Sequence, residues 1–166
     1  MTKDSNTHLI SFLVANKPGV LVRISQVFAR RGFNIDSLVV SATVDEKFSR
    51  MTVTAKGDRD TLDQIIKQSA KLIDVIHVAE HTNLDAVHYE LALLKIKNTP
   101  ANKKLIENGK RKFGVRTVET NRSIIIAEQT GTTDQLDAFE SLFKKSDIIE
   151  MIRSGKLVMA KTKEPT

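Results

Sequence analysis

The stretch Asn16-Lys17-Pro18-Gly19-Val20-Leu21 joins an alternating, strand-like segment to an amphipathic, helix-like one. The helix-like segment stops at Gly32-Phe33-Asn34, where the polar Asn leads the chain into a second strand. The first backbone N–H groups of a helix have no partner within the helix, and the helix dipole adds positive potential at the same place. A small carboxylate can bind there. The stretch therefore predicts a strand–helix–strand unit that senses a small anion.

The segments around this stretch complete a βαββαβ order. Ile10, Phe12 and Val14 alternate as in a strand, and the apolar residues that follow Gly19 recur at helical spacing. Asp45-Glu46-Lys47 turns the chain between two further alternating segments. The predicted elements are a strand at 8–15, a helix at 20–31, strands at 37–44 and 50–55, a helix that Asp58 caps, and a strand at 74–78. This order predicts a ferredoxin-like domain.

The second half repeats the order after a polar joint at 81–85. Its predicted elements are a strand at 89–96, a helix from Pro100 to Phe113, strands at 115–119 and 123–128, a helix behind a capping box of Thr132 and Gln135, and strands at 148–152 and 157–159. Gly109 is expected to weaken the first of these helices by about 1 kcal/mol relative to Ala. We therefore expect an α+β chain of two tandem ferredoxin-like (βαββαβ) domains, at 1–82 and 83–166.

Composition narrows the function classes. The formal net charge of +6 allows nucleic-acid binding, but seven Phe, one Tyr and no Trp offer few stacking platforms, and Phe12, Phe28, Phe139 and Phe143 have core spacing. The densest basic group, Lys103 to Lys112, is a solvated helix face, a docking surface for an acidic protein or a nucleic-acid contact. The first of these three interpretations is the commonest for such a group. We therefore expect no nucleic-acid partner.

Catalytic and metal-binding motifs are absent from the sequence. It has no phosphate-binding loop, no dinucleotide fingerprint, no nucleophile elbow and no paired-His zinc motif, and it contains no cysteine. Its four histidines are expected at partly exposed strand positions rather than around a metal ion. No apolar run approaches the roughly 20 residues that cross a bilayer. We expect a non-catalytic, cytoplasmic protein with no metal of its own and no membrane partner.

The chain resembles the small regulatory subunit of acetohydroxyacid synthase (acetolactate synthase), whose N-terminal half is an ACT domain. The resemblance covers nearly the whole chain in order, which makes it more specific than the first turn alone. The matching stretches are 16–21 (Asn-Lys-Pro-Gly-Val-Leu), 31–38 (Arg-Gly-Phe-Asn-Ile-Asp-Ser-Leu), 49–53 (Ser-Arg-Met-Thr-Val), Asp74-Val75, Asp137-Ala138-Phe139 and Arg153-Ser154-Gly155-Lys156.

This resemblance implies an amino-acid site between two ACT domains, with valine or another branched-chain amino acid as effector. The ammonium group would be held by Asn34 and the Ile35 backbone of the partner copy. The carboxylate would lie against the residues of the first turn, namely Asn16, Gly19, Val20 and Leu21. Physical chemistry supports both halves, since a helix start favours an anion and an Asn carbonyl accepts from ammonium. Burial of the isopropyl group contributes about 1.5 to 3 kcal/mol.

The resemblance also implies the function and the partners. The chain would form a homodimer through its ACT domains, activate a catalytic large subunit and confer valine feedback inhibition. Thiamine diphosphate, magnesium and FAD would belong to that catalytic subunit. The alternative is a free-standing ACT-type amino-acid sensor that regulates transcription or another enzyme.

The residues alone leave three positions open. The first turn is either a binding site or a plain connection, and Asn34 is either a ligand or a cap of the preceding helix. Arg50 lies on a solvated face or contacts a partner.

Overall fold

The computed structural model describes residues 7–82, 85–163 and 166, which form two compact units. The first unit contains the chain up to His88 and returns for residues 155–166, and the second is residues 89–154. The elements are β1 (Thr7–Ala15), α1 (Val20–Arg30), β2 (Asn34–Ala42), β3 (Phe48–Lys56), α2 (Arg59–Ser69), β4 (Val75–His81), β5 (Ala86–Lys97), α3 (Pro100–Phe113), β6 (Arg116–Thr120), β7 (Ile124–Gly131), α4 (Thr133–Glu140), β8 (Ile148–Arg153) and β9 (Leu157–Ala160). The order βαββαβ occurs twice and confirms the predicted fold class.

The first unit has an antiparallel sheet in the order β2-β3-β1-β4, so β2 and β4 are its edges. One face of this sheet carries the alternating apolar residues that the sequence analysis identified. These side chains form one core with the apolar stripes of the helices; its members include Ile10, Phe12, Val14, Ile24, Phe28, Met51, Val53, Leu62 and Ile65. The core holds α1 on the sheet and thereby fixes the position of the turn that precedes this helix.

The two helices of this unit begin differently. The Asp58 side chain accepts a hydrogen bond from the Thr61 backbone N–H at 2.8 Å, as the prediction of an N-cap requires. This hydrogen bond holds the pKa of Asp58 below its usual value. The N-cap of α1 is Gly19, which has no side chain to close the helix start. Of the two helices described for this unit, only α1 therefore begins with an uncapped turn.

The first hairpin differs from its prediction at both ends. β2 begins at Asn34, three residues before the predicted start. A register shift between Ile35 and Ser37 breaks the alternation of side chains by which a strand is recognised in a sequence, so the residues before the shift were not predicted as strand. The strand ends at Ala42, and Val44 is fully exposed in the turn that follows. Asn34 is thus part of a strand, not only a residue after a helix.

The second unit has the strand order β6-β7-β5-β8. Its core lies between this sheet and the helices α3 and α4; the members are Leu94, Ile96, Ile106, Val115, Ile125, Ala127, Phe139 and Phe143. The predicted capping box of Thr132 and Gln135 is present at the start of α4. The helix ends at Glu140, and Phe143 enters the core from the turn beyond it.

The predicted domain boundary falls between residues 82 and 83, and residues 83–84 lie outside the described part of the chain. That boundary stays a prediction. The contacts of the described residues place the change of unit between His88 and Tyr89, and they return the last twelve residues to the first unit. Gly155 is buried there with φ +83°, and a Cβ on it would lie 3.1 Å from Ser37 and Val39.

Candidate effector site

The turn between β1 and α1 is a type II β-turn. Pro18 occupies its second position and Gly19 its third, with φ 85° and ψ −11°, and the Val20 N–H donates to the Lys17 carbonyl at 3.4 Å. Pro favours the second position, and the positive φ of the third favours Gly. The sequence Lys-Pro-Gly-Val therefore dictates this turn, and the turn leaves the first N–H groups of α1 uncapped.

These N–H groups are the donors that the sequence analysis predicted for a carboxylate. The Val20 N–H has only its long contact with Lys17, and within the described residues no acceptor faces the N–H groups of Gly19 and Leu21. The first turn of α1 contains no acidic residue that would occupy the site. The positive end of the helix dipole lies at the same place. The local field therefore favours a small anion.

Sequence reasoning missed a cation at this turn. The Arg23 guanidinium lies over Gly19, where an added Cβ would be 3.3 Å from Arg23 Nη1. Its Nη2 donates to Asp74 Oδ2 at 2.6 Å. The Asp74 backbone carbonyl in turn accepts from the Ala15 N–H at 2.8 Å. The four-residue spacing from Gly19 to Arg23 was the signal that could have revealed this neighbour.

Asn16 makes contacts with the loop between β2 and β3. Its side-chain Nδ2 donates to the Glu46 carbonyl at 2.9 Å, and its backbone N–H donates to the Lys47 carbonyl at 2.7 Å. One of the two amide hydrogens of Asn16 is thus committed within the chain. The other hydrogen and the amide oxygen have no partner among the described residues. Asn16 therefore fastens the turn and retains one donor for a ligand.

Asn34 lies at the far end of the same sheet. It pairs with Lys56, which pairs with Thr7 at the start of β1, whereas the turn follows Ala15 at the end of β1. At about 3.3 Å per residue the two ends of β1 are about 26 Å apart. The structure of one chain therefore does not bring Asn34 and Ile35 together with the residues of the turn.

The side chain of Asn34 has a defined orientation on this exposed edge. Its Nδ2 donates to Asp36 Oδ1 at 3.2 Å. This hydrogen bond leaves the amide oxygen, the atom that accepts from an ammonium group, without a partner among the described residues. The bulge between Ile35 and Ser37 interrupts pairing at this point and exposes backbone groups of the strand.

Arg50 lies on the face of the first sheet opposite α1 and α2. It is half-buried, burial lowers its pKa, and its Nη1 has no hydrogen-bond partner. In a single chain the Arg50 side chain is therefore not fully solvated. Its contact with a partner stays a prediction.

The described residues contain no group of three or more His, Cys, Asp or Glu side chains that could hold a metal ion. Within the same residues, no helix combines the length and the apolar character that crossing a bilayer needs.

The fold and the open helix start define a protein with an ACT domain. Residues 10–77 match the family model described as the AHAS small subunit-like ACT domain. Residues 89–162 match the model described as the small subunit of acetolactate synthase.

Individual relatives agree with these matches over nearly the full length. The chain is 41% identical to the probable acetolactate synthase small subunit of Archaeoglobus fulgidus, over 93% of this chain and 96% of the relative. It is 38% identical to the acetolactate synthase small subunit of Mycolicibacterium smegmatis, over 93% and 91%. The crystal structure of the Thermotoga maritima small subunit superposes with a TM-score of 0.82 at 34% identity, over 95% of this chain and 99% of that one. The chain belongs to the acetolactate synthase small subunit family.

Proposed function

We propose that this chain is the non-catalytic regulatory subunit of acetolactate synthase, and that it senses valine or another branched-chain amino acid. The observation that carries the proposal is the uncapped start of α1 at Gly19, within an ACT fold of this family. Backbone N–H groups and the helix dipole supply the carboxylate half of an amino-acid site. The ammonium half has to come from another part of the molecule.

A second copy of the chain supplies that half. β2 is an edge strand, so its outer side can pair with the β2 of a partner. Antiparallel pairing sets the start of one β2 beside the end of the other, near Ala42. Ala42 pairs with Ser49, which pairs with Val14, so this is the end of the sheet where the turn lies. The partner's Asn34 would thereby reach the end of the sheet that holds Gly19.

Exposed apolar side chains support the same dimer. Leu21 and Val22 on the first turn of α1 are 43% and 56% exposed, and Val40 on β2 is 44% exposed. A second copy covers such residues, and an effector's isopropyl group adds about 1.5 to 3 kcal/mol when it is buried with them. This amount favours valine over alanine, but it separates valine only weakly from leucine or isoleucine.

The catalytic partner in this proposal is the large subunit of acetolactate synthase. The names of the relatives as small subunits support such a partner. Thiamine diphosphate, magnesium and FAD would reside in the large subunit, and the complex would work in the cytoplasm. Valine inhibits if it binds one state of the complex better than another, and a coupling of about 1 to 3 kcal/mol changes activity several-fold to a hundredfold.

Calorimetry on the purified chain tests the site. Asn34→Ala should weaken valine binding about tenfold or more, because a hydrogen bond to a charged group is lost. Asn121→Ala is the control, because Asn121 closes the turn between β6 and β7 with bonds to the Ser123 and Ile124 N–H groups. Unaltered valine affinity in Asn34→Ala would remove Asn34 from the site.

Reconstitution tests the activation. Addition of the wild-type chain to the catalytic subunit should raise turnover, and valine should then lower it. No gain in turnover would contradict the activating role, whatever the outcome of the calorimetry.

A further inference from the structure

The chain returns to the first unit at Gly155, after it has completed the second unit. We call residues 155–161 the return segment. Gly155 is buried against β2, where an added Cβ would lie 3.1 Å from Ser37 Cβ and 3.1 Å from Val39 Cγ2. These distances are tighter than an ordinary van der Waals contact, so a side chain fits only if a neighbour moves by a few tenths of an ångström. The return segment and β2 are therefore in contact without free space between them.

The return segment is restrained on both sides of this contact. Directly before it, the Ser154 N–H donates to the Leu91 carbonyl at 2.9 Å, and Ser154 Oγ accepts from the Leu91 N–H at 3.0 Å, both within the second unit. At the other end, the Lys161 N–H donates to the Asp85 carbonyl at 2.8 Å within the first unit. These hydrogen bonds oppose a withdrawal of the return segment from β2.

The part of β2 that Gly155 contacts is less restrained. β2 is an edge strand, and its pairing with β3 passes from Ile35 to Ser37 and skips Asp36. A bulge of this kind interrupts the regular ladder of hydrogen bonds. Ser37 directly follows the bulge, and the proposed ammonium ligands Asn34 and Ile35 directly precede it. A displacement of Ser37 is therefore taken up at the bulge, beside these two residues.

We propose that the return segment is a positioning element of the effector site. Gly155, through Ser37, sets the position of Asn34 and Ile35 relative to the ammonium group of the effector. This inference rests on the proposed function, because the proposed function supplies the effector. Close-packed contacts transmit displacements, and hydrogen bonds weaken steeply when their geometry changes. A movement of the return segment thereby changes effector affinity although the segment contains no effector ligand.

Two substitutions of Gly155 test the contact by calorimetry, at a temperature at which every variant is folded. Gly155→Ala should weaken valine binding about threefold, and the larger side chain in Gly155→Val should weaken it about tenfold or more, because it displaces Ser37 further. Gly114→Ala is the matched control. Gly114 also has a positive φ, 68° against 83° at Gly155, but nothing lies within 4 Å of an added Cβ. This control should bind valine as the wild type does.

A second substitution on β2 separates the contact from general destabilisation. Ser37→Gly removes the Cβ and Oγ atoms that lie 3.1 and 3.2 Å from the new Cβ. In the Ser37→Gly background, Gly155→Ala should therefore weaken valine binding less than it does in the wild type. If Gly155→Ala alone does not fold, Ser37→Gly is compared with Ser37→Gly/Gly155→Val, in which the larger side chain fills the space again and should weaken binding about threefold.

The amide resonances of residues 34–37 provide a readout that needs no ligand. Gly155→Ala should shift them, whereas Gly114→Ala should leave them unchanged. The proposal is overturned if folded Gly155→Ala and Gly155→Val bind valine as the wild type does. If the wild-type chain binds no valine, leucine or isoleucine, the proposed function fails. The resonances alone then decide whether Gly155 positions the bulge, and unchanged resonances in Gly155→Ala would overturn that contact as well.

Discussion

Gly19 is the residue whose replacement tests the turn most sharply. In Gly19→Ala the new side chain must adopt φ 85°, a left-handed conformation that costs an L-residue about 1 to 2 kcal/mol. The added Cβ would also lie 3.3 Å from Arg23 Nη1 and press on the guanidinium that bridges to Asp74. We expect the free energy of unfolding of the first unit to fall by about 1 to 2 kcal/mol in urea.

Gly19→Ala should also weaken valine binding. The substitution moves the backbone N–H groups that face the carboxylate, and a hydrogen bond to a charged group contributes about 1.5 to 3 kcal/mol. This corresponds to a loss of about ten- to a hundredfold in affinity by calorimetry. Gly114→Ala is the matched control, because Gly114 has φ 68° with nothing within 4 Å of an added Cβ and lies in the second unit. Equal valine affinity in both variants and the wild type would refute the assignment of the carboxylate to this turn.

Three further substitutions probe the units separately. Gly109→Ala should destabilise the second unit by about 1 to 2 kcal/mol in urea despite its better helix propensity, because the new Cβ would lie 2.8 Å from Phe139 Cε2; a gain in stability would contradict this packing. Arg153→Ala should cost about 3 kcal/mol in the same assay, since the buried Glu90 carboxylate, which still accepts from the Thr133 hydroxyl, loses its only cation at 3.0 Å among the described residues; a loss below 1 kcal/mol, as for an ordinary surface pair, would contradict this. Burial lowers the pKa of His81 below 6.5, so the unfolded chain binds that proton first, and the free energy of unfolding falls as the pH drops below 6.5. In His81→Gln the free energy of unfolding should fall less steeply with decreasing pH over this range. Identical slopes in the variant and the wild type would show that the pKa of His81 is the same in the folded and unfolded chains.

The fold could be predicted from local patterns because each element agrees with its neighbours. Alternation gave the strands, Pro18-Gly19 gave the turn, and Asp58 and Thr132 gave the starts of two helices. Each of these signals depends only on residues that are close together in the chain, so it can be recognised from the sequence. The donors at the start of α1 were predictable for the same reason.

Features that depend on packing between distant residues could not be predicted. The first residues of β2 were not recognised as a strand, because the bulge after Ile35 reverses the phase of the alternation. Gly109 looked like a weakness of α3, whereas Phe139 from another helix occupies the space that a side chain would need. The contact of Arg23 with Asp74 joins residues 51 apart in the chain.

The face of the first sheet that lies opposite its helices illustrates a signal that was readable in the sequence but was not used. Residues four apart on a strand share a face, just as they do on a helix, and His77 and His81 therefore lie on the same side of β4. The polar residues Ser11 and Arg50 alternate with core residues on the neighbouring strands. The buried Arg50 Nη1 without a hydrogen-bond partner could be seen only in three dimensions.

Mixed dimers provide the most direct test of an effector site that is shared between two copies. Neither Gly19→Ala nor Asn34→Ala alone should bind valine well, because each homodimer lacks one half of both sites. A mixed dimer of the two variants combines the intact turn of one copy with the intact Asn34 of the other. Calorimetry on the mixture should therefore recover valine binding of wild-type affinity at one site per mixed dimer. No recovery in a mixture shown to exchange subunits would contradict the shared site.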